Sequence, residues 1–335
     1  MSFNTQFLSN PLHFMRVWAV SPPDGSPIGN VIKKWSVAAS NFKSGVITRK
    51  ADNGQTVVDL ECVSVGQRVQ FASFEKHPLF PQALTLRLTP ARGNADQIPI
   101  HWLPWGKEKV VTSTIPAVPS NVVEADEDEN PRFFFTAGIS GCSVFVKGPG
   151  SSPTIFHSGT QGVLDRSANE FWLEQVDAAT GGKAFDYSIF TDVDKSQYMN
   201  RQSGAVSDYI KWAQGSGSGG NPFTVEIINN FGCVFGIRFG RHWSFYLQES
   251  GLISTTKFIK KSDVTKDLKE KGTGFDVNQT TLMHKRHLGK LPLPSKRENI
   301  YASVNQKCIP FRVSEIFPNR FWAGSIQELL VRHTM

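Results

Sequence analysis

Cys142 and His157 could together perform nucleophilic chemistry, and they lie in a segment whose pattern predicts a β-hairpin. An apolar run ends before Cys142, β-prone residues follow it, and a loop of turn-forming residues at 148–151 leads into a second β-prone run. If residues 148 and 151 flank the loop symmetrically, Cys142 faces His157 across the hairpin. Facing residues of an antiparallel pair hold their β-carbons about 5 Å apart on one face of the sheet. We therefore predict a thiol–imidazole pair.

This pair has a defined chemical use. An imidazole can take the proton of a neighbouring thiol, which leaves a thiolate able to attack a carbonyl or carboxamide carbon. Glycines at 138 and 141 would let the backbone approach a substrate closely. The backbone amide of Cys142 or a neighbour could then hold the oxyanion. We predict Cys142 as nucleophile, His157 as base, and Ser140 and Gly141 as the supporting loop.

Both residues also have a structural interpretation. A cysteine followed by Val144 and Val146 is typical of a small core residue, and a single histidine near a loop is commonly a surface group. Thiol reactivity separates the two interpretations. An imidazole-activated thiol reacts with iodoacetamide faster than the other cysteines, whereas a packed thiol resists the reagent.

The run Ile139-Ser140-Gly141-Cys142, with His157 fifteen positions after the cysteine, resembles the catalytic core of the cytotoxic necrotizing factor family of bacterial toxins. It is also similar to the Burkholderia lethal factor type. These toxins are glutamine deamidases whose motif is usually Leu-Ser-Gly-Cys, so Ile139 is a conservative departure. The whole chain has about the length of the toxins' isolated catalytic domain.

The resemblance implies a β-sandwich-centred fold, a nucleophilic Cys142, a basic His157 and an upstream backbone carbonyl that orients the imidazole. We look for that carbonyl within Lys109 to Thr114. The implied chemistry requires no cofactor and no metal. The implied substrate is a glutamine side chain of a host protein, either a Rho-family GTPase or a translation factor.

Short β-branched and aromatic runs between turn signals predict a β-rich region over residues 12–119. The predicted strands are His13–Val20, Val31–Ala39, Thr56–Val65, Gln67–Phe74 and Ala83–Leu88. Asp24-Gly25 and Asn53-Gly54 are the strongest predicted turns. The prolines of Ile98–Trp105 favour an edge or surface segment over a central strand. This spacing is typical of an antiparallel sandwich, so we expect an α+β, mainly β fold with a few peripheral helices.

The pattern of residues 160–335 predicts mixed α/β structure. We expect this part, the β-rich region and the catalytic hairpin at 131–159 to form a single domain. Capping boxes and apolar spacing predict helices at about 168–177, 205–214 and 262–271 and after Ser325. Strands are predicted at Thr224–Ile228, Phe231–Phe239 and His242–Gln248, the last two forming a hairpin. In that hairpin Cys233 faces Tyr246 and not His242, so Cys233 is predicted to be a core residue.

Composition narrows the class of protein. The chain has 335 residues, 39% of them hydrophobic, which is enough for a substantial core. Its four cysteines form no CxxC pair, so neither a disulfide framework nor a zinc site is indicated. The amino terminus lacks a signal-peptide pattern, and no run approaches the roughly 18 apolar residues of a membrane span. We expect secretion by a leaderless route, type III or similar, action in the host cytosol and no transmembrane segment.

Positive charge concentrates near the carboxyl end. Residues 251–335 contain 15 Lys and Arg against 7 Asp and Glu, in a chain of net charge +7. The basic residues within 257–297 could meet an acidic protein partner, or could form a solvated face. Nucleic acid is not expected, because no aromatic interleaving or known nucleic-acid module accompanies the charge. The acidic run 124–129 lacks the spacing of a calcium loop, and His284 and His287 lack a carboxylate partner.

The alternatives to deamidation differ from it in the chemistry that they require. A transglutaminase would form the same thioester and resolve it with an amine, so the sequence leaves this alternative open. Proteolysis is disfavoured, because cysteine proteases generally place the nucleophile at a helix start, far from the histidine. Ser140 is not the expected nucleophile, since the second glycine of a nucleophile elbow is absent. A non-enzymatic β-sandwich binding protein is the remaining alternative to the deamidase that we predict.

Overall fold

A computed structural model describes residues 1–42, 47–66, 68–80, 82–118, 128–159, 190–193, 223–260, 274–275 and 300–318. The helices in these ranges are α1 (Phe3–Ser9) and α2 (Pro11–Val17), and Ala39–Asn41 forms a 3-10 turn. The strands are β1 (Ala19–Ser21), β2 (Asn30–Ala38), β3 (Arg49–Lys50), β4 (Thr56–Ser64), β5 (Val69–Lys76), β6 (Ala83–Thr89), β7 (Ile98–Leu103), β8 (Lys109–Thr114), β9 (Phe133–Thr136), β10 (Ser143–Lys147), β11 (Thr154–Gly159), β12 (Phe190–Val193), β13 (Phe223–Phe239), β14 (His242–Lys260), β15 (Gly274–Phe275) and β16 (Ile300–Phe317).

The strands form two sheets. The first has nine strands in the order β1-β6-β5-β7-β9-β13-β14-β16-β15. The second has seven, in the order β12-β10-β11-β8-β4-β2 with β3 paired to β4. Most pairs are antiparallel, and β1–β6, β4–β8 and β7–β9 are parallel. The chain passes from the first sheet to the second between β9 and β10, in the loop that carries Cys142.

An apolar layer between the sheets holds them together, and we call it the inter-sheet layer. Phe134, Leu247 and Trp243 come from the first sheet, and Val144 and Ile155 come from the second. Alternate residues of each strand point to this layer, because successive side chains of a strand face opposite sides. The expected mainly β, α+β sandwich is thus confirmed.

The two helices cover the outer face of the first sheet. Phe7, Phe14 and Met15 are buried there in one cluster with residues of β5, β6 and β9. The prediction of a strand at His13–Val20 is therefore wrong over most of that range, because α2 extends to Val17 and β1 begins only at Ala19. The Asn10 side chain accepts a hydrogen bond from the His13 amide, and Pro11 occupies the first helical turn. An asparagine cap followed by proline is a helix-start signal that outweighed the β-prone residues.

The segment Ile98–Trp105 also differs from expectation. Its strand β7 is buried along its whole length between β5 and β9. Pro99 pairs with Phe71 of β5, while pairing with β9 begins only at Ile100. The proline is tolerated because β7 is still an edge at that residue.

The other described strands of the β-rich region are confirmed, at β2, β4, β5 and β6. Gly25 and Gly54 have φ of 73° and 80°, as the predicted turns require. The hairpin of β13 and β14 is confirmed too, with Phe239 paired to His242. The predicted helices at 168–177, 205–214, 262–271 and after Ser325, the acidic residues 124–127 and the basic segment 284–297 lie outside the described residues.

Candidate functional site

The predicted catalytic hairpin exists, with a different register. Strands β10 and β11 pair Val144 with His157 and Ser143 with Ser158, so the predicted pairing of Cys142 with His157 is wrong by two positions. The loop is longer than expected, because Ser152 stays within it and donates its amide proton to the Pro149 carbonyl at 3.0 Å. The proline at 153 has no amide proton to offer the ladder.

The shift leaves Cys142 and His157 on one face. Side chains alternate with a period of two, so a slip of two positions restores the original face. Cys142 lies immediately before β10 and belongs to the inter-sheet layer together with Val144, the residue opposite His157. Diagonal neighbours of this kind lie about 7–8 Å apart, within reach of a long side chain. The structure thus places Cys142 and His157 on the same face, but the predicted pair is not hydrogen-bonded, because His157 Nε2 makes no hydrogen bond with the Cys142 thiol.

His157 has a polar partner from the other sheet. Its Nδ1 lies 2.6 Å from Oγ1 of Thr136, the last residue of β9, and both side chains have 0% exposure. Its Nε2 is buried without a hydrogen bond to any residue that the structure describes. Strand β8, where we looked for an orienting carbonyl, does lie beside β11, with Val111 opposite His157. The orienting group on Nδ1 is nevertheless the Thr136 hydroxyl.

Burial determines the charge of this imidazole. Loss of solvation lowers the pKa of His157 to about 3, so the ring is neutral at physiological pH. When Nδ1–H donates to Thr136 Oγ1, Nε2 carries the lone pair that can accept a proton. The neutral ring can therefore act as a general base.

The loop before Cys142 is fixed to the first sheet. Ile139 exchanges two backbone hydrogen bonds with Gly232 of β13, at 3.0 and 2.8 Å. Gly141 has φ of 143°, a conformation that favours glycine over residues with a β-carbon. Ser140 is exposed, whereas Cys142 keeps 9% of its surface exposed. Ser140 and Gly141, which the sequence predicts as supporting residues, thus lie in the loop between this anchor and Cys142.

The other cysteines have different environments. All four are reduced thiols. Burial raises the pKa of Cys62 to about 11 and that of Cys308 to about 12, and it raises the pKa of Cys233 further still. Cys233 is a core residue as predicted, although it faces Gln248 rather than Tyr246. These three thiols are poor nucleophiles at neutral pH.

A pocket of about 270 Å³ lies against the same loop. Gly138, Ile139 and Ser140 form part of its wall, and Phe80 and Phe231 contribute aromatic surface. Neither Cys142 nor His157 is among its lining residues. The pocket therefore adjoins the loop that leads to Cys142 without containing Cys142 or His157.

Other possible sites are few in the described part of the chain. His101 is 6% exposed, and its ring meets the Trp243 ring edge-on with the ring centroids 5.6 Å apart. Within the described ranges, no three His, Cys, Asp or Glu side chains group as metal ligands. Neither described helix has the length and apolar character needed to span a membrane.

The Thr136 hydroxyl allows a specific test. If His157 acts as the predicted base, Thr136→Val lowers turnover about 10- to 100-fold, because a lost hydrogen bond of about 1–3 kcal/mol would release the imidazole from its orientation. Thr136→Ser keeps the hydroxyl and should retain most of the turnover. Steady-state kinetics of the three proteins measure the effect. Equal turnover in wild type and Thr136→Val would show that this hydrogen bond does not position His157.

No family model and no curated protein matches the chain. The resemblance carried by Ile139 to Cys142 and His157 therefore stays a prediction.

Proposed function

We propose that this protein is a glutamine deamidase that hydrolyses a side-chain carboxamide of a host protein through Cys142. The observation that carries the proposal is the Thr136–His157 hydrogen bond. It is buried in the inter-sheet layer, beside the nucleophile loop, by which we mean Gly138 to Cys142. Buried polar groups that lack a full set of partners are costly, so His157 Nε2 calls for an explanation. A base that serves the Cys142 thiol provides one.

The mechanism begins from an uncharged pair. Because His157 is a weak base in its buried site, the thiol proton moves to Nε2 as the sulfur–carbon bond forms. Backbone amides near Gly141 and Cys142 hold the oxyanion. His157 then protonates the departing ammonia, which leaves a thioester. Water, deprotonated by His157, attacks the thioester, so the products are glutamate, ammonia and the regenerated thiol.

Substrate access involves the exposed edge of the nucleophile loop. Ser140 is exposed, Cys142 is buried with 9% of its surface exposed, and the neighbouring pocket offers room for substrate residues beside the glutamine. Its volume lies just below the roughly 300–1,000 Å³ typical of small-molecule sites, and it suits one or two side chains of a protein substrate. A Rho-family GTPase or a translation factor is the substrate class that the resemblance favours.

Incubation with host-cell lysate in heavy-oxygen water tests the proposal. Hydrolysis of the thioester inserts one water oxygen into the new carboxylate, so peptide mass spectrometry should find a glutamine converted to heavy-oxygen-labelled glutamate. A lysate without the protein is the control. A labelled primary amine in a parallel reaction detects transglutamination, in which the amine replaces the water. Absence of labelled glutamate above control would overturn the deamidase proposal, and amine incorporation alone would replace it with transglutamination.

A further inference from the structure

The indole of Trp105 carries a buried hydrogen-bond donor and packs against the inter-sheet layer, to which Cys142 also belongs. Trp105 follows β7, and its backbone amide donates to the Asp24 carbonyl at 3.0 Å. The Nε1 atom is inaccessible to solvent and makes no hydrogen bond with any described residue. An indole N–H can only donate, so the described part of the chain supplies this group with no acceptor.

Gly159 fixes the position of that N–H. A β-carbon built on Gly159 would come within 1.8 Å of Trp105 Nε1, so the nitrogen edge of the indole lies directly on this glycine. Gly159 follows His157 by two residues on β11 and therefore shares its face. Gly159 is the last residue of β11, and Cys142 immediately precedes Ser143, whose partner in the ladder is Ser158. The Trp105 donor therefore lies at the end of the hairpin where Cys142 enters β10, against the strand that carries His157.

We propose that the Trp105 indole N–H donates a hydrogen bond to the oxyanion formed when Cys142 attacks the substrate carboxamide. The inference rests on the proposed deamidation. As the sulfur–carbon bond forms, the carbonyl π electrons move to oxygen, and the N–H stabilises that negative charge. Collapse of the intermediate re-forms the carbonyl and expels ammonia, with its added proton supplied by His157. The indole itself loses no proton.

The apolar surroundings make this donor effective. Donors preorganised in a water-poor site stabilise developing charge far more than donors in water. A buried donor that makes no hydrogen bond with the described residues is unfavourable in the resting protein, and an acceptor on the bound substrate relieves that cost.

Trp105→Phe tests the inference, because it removes the N–H and keeps an aromatic ring. Two rates are measured: turnover of the protein substrate identified in heavy-oxygen water, and alkylation of Cys142 by iodoacetamide. We expect turnover to fall about 10²- to 10³-fold with little change in KM, as for loss of one oxyanion donor. Alkylation should stay at the wild-type rate, because displacement of iodide creates no oxyanion.

Trp35→Phe is the matched control. The Trp35 Nε1 is likewise buried without a described partner, but its ring packs on the outer face of the second sheet. Neither rate should change in that variant. If Trp105→Phe does not fold, benzothienylalanine at position 105 replaces the N–H by sulfur and preserves the bicyclic shape.

The results that would contradict the inference differ from the result that would contradict the proposed function. Unchanged turnover in an active, folded Trp105→Phe protein overturns the inference and leaves the deamidase proposal standing. Equal losses of turnover and alkylation assign Trp105 a packing role and also overturn it. A wild-type protein that incorporates no heavy oxygen rejects the deamidase itself, and the inference falls with it.

Discussion

Cys142→Ala is expected to reduce deamidation about 10⁴-fold or more, because the reaction then lacks the atom that forms the thioester. The fold should persist. Cys142 is a small residue at the edge of the inter-sheet layer, with 9% of its surface exposed, so the loss in unfolding free energy should be about 1 kcal/mol. Heavy-oxygen incorporation measures activity, and urea denaturation measures stability.

Cys233→Ala is the matched control for this substitution. Cys233 is fully buried in the helix-covered cluster on the opposite face of the first sheet. Its replacement should lower stability at least as much as Cys142→Ala while leaving turnover near the wild-type value. Retention of turnover in Cys142→Ala would exclude a covalent mechanism through this sulfur.

Acid should destabilise the fold through His157. Its pKa is about 3 in the folded protein, because burial opposes the charged form, and near 6.5 in an unfolded chain. The unfolded state therefore binds the proton more tightly, and stability falls as pH drops from about 6.5 towards 3. The loss is about 1.4 kcal/mol per pH unit, which amounts to about 2.7 kcal/mol at pH 4.5.

Urea denaturation at pH 7.5 and pH 4.5 measures this loss in wild type and in His157→Gln. The variant lacks the titrating ring, so the difference between the two pH values should shrink by about 2.7 kcal/mol. Burial and the nearby Arg238 lower the pKa of His101 to about 4. His101 therefore contributes similarly to the pH dependence of stability in both proteins, and its contribution cancels when the two are compared. Equal pH dependence in the two proteins would mean that solvent reaches the His157 ring in the folded state.

Local sequence signals predicted much of the sandwich. Strands such as β4 and β6 combine alternating burial with turn residues at their ends, and both features can be read from the residues themselves. Gly25 and Gly54 both have the predicted positive φ, and Gly54 closes a turn by donating its amide proton to the Ala51 carbonyl. The errors arose where signals competed. An Asn10-Pro11 helix start preceded β-prone residues, and the proline of β7 sits where that strand has one neighbour.

The candidate site was only partly predictable. The face shared by Cys142 and His157 depends on the parity of the register and was predicted, whereas the register depended on how many loop residues stay unpaired. Thr136 and Trp105 approach the hairpin from other strands and loops, so spacing along the chain gives no sign of their contacts. A polar Thr136 ending the apolar run Phe133–Phe135 was the one available hint.

Competitive alkylation tests the central claim, that His157 serves Cys142, most directly. Limiting iodoacetamide is added to the folded protein at neutral pH, and mass spectrometry follows each of the four cysteines. We predict that Cys142 is modified at least tenfold faster than Cys62, Cys233 or Cys308, and that His157→Gln removes this advantage. A Cys142 that reacts no faster than the other three, or whose rate is unchanged in His157→Gln, would contradict the account.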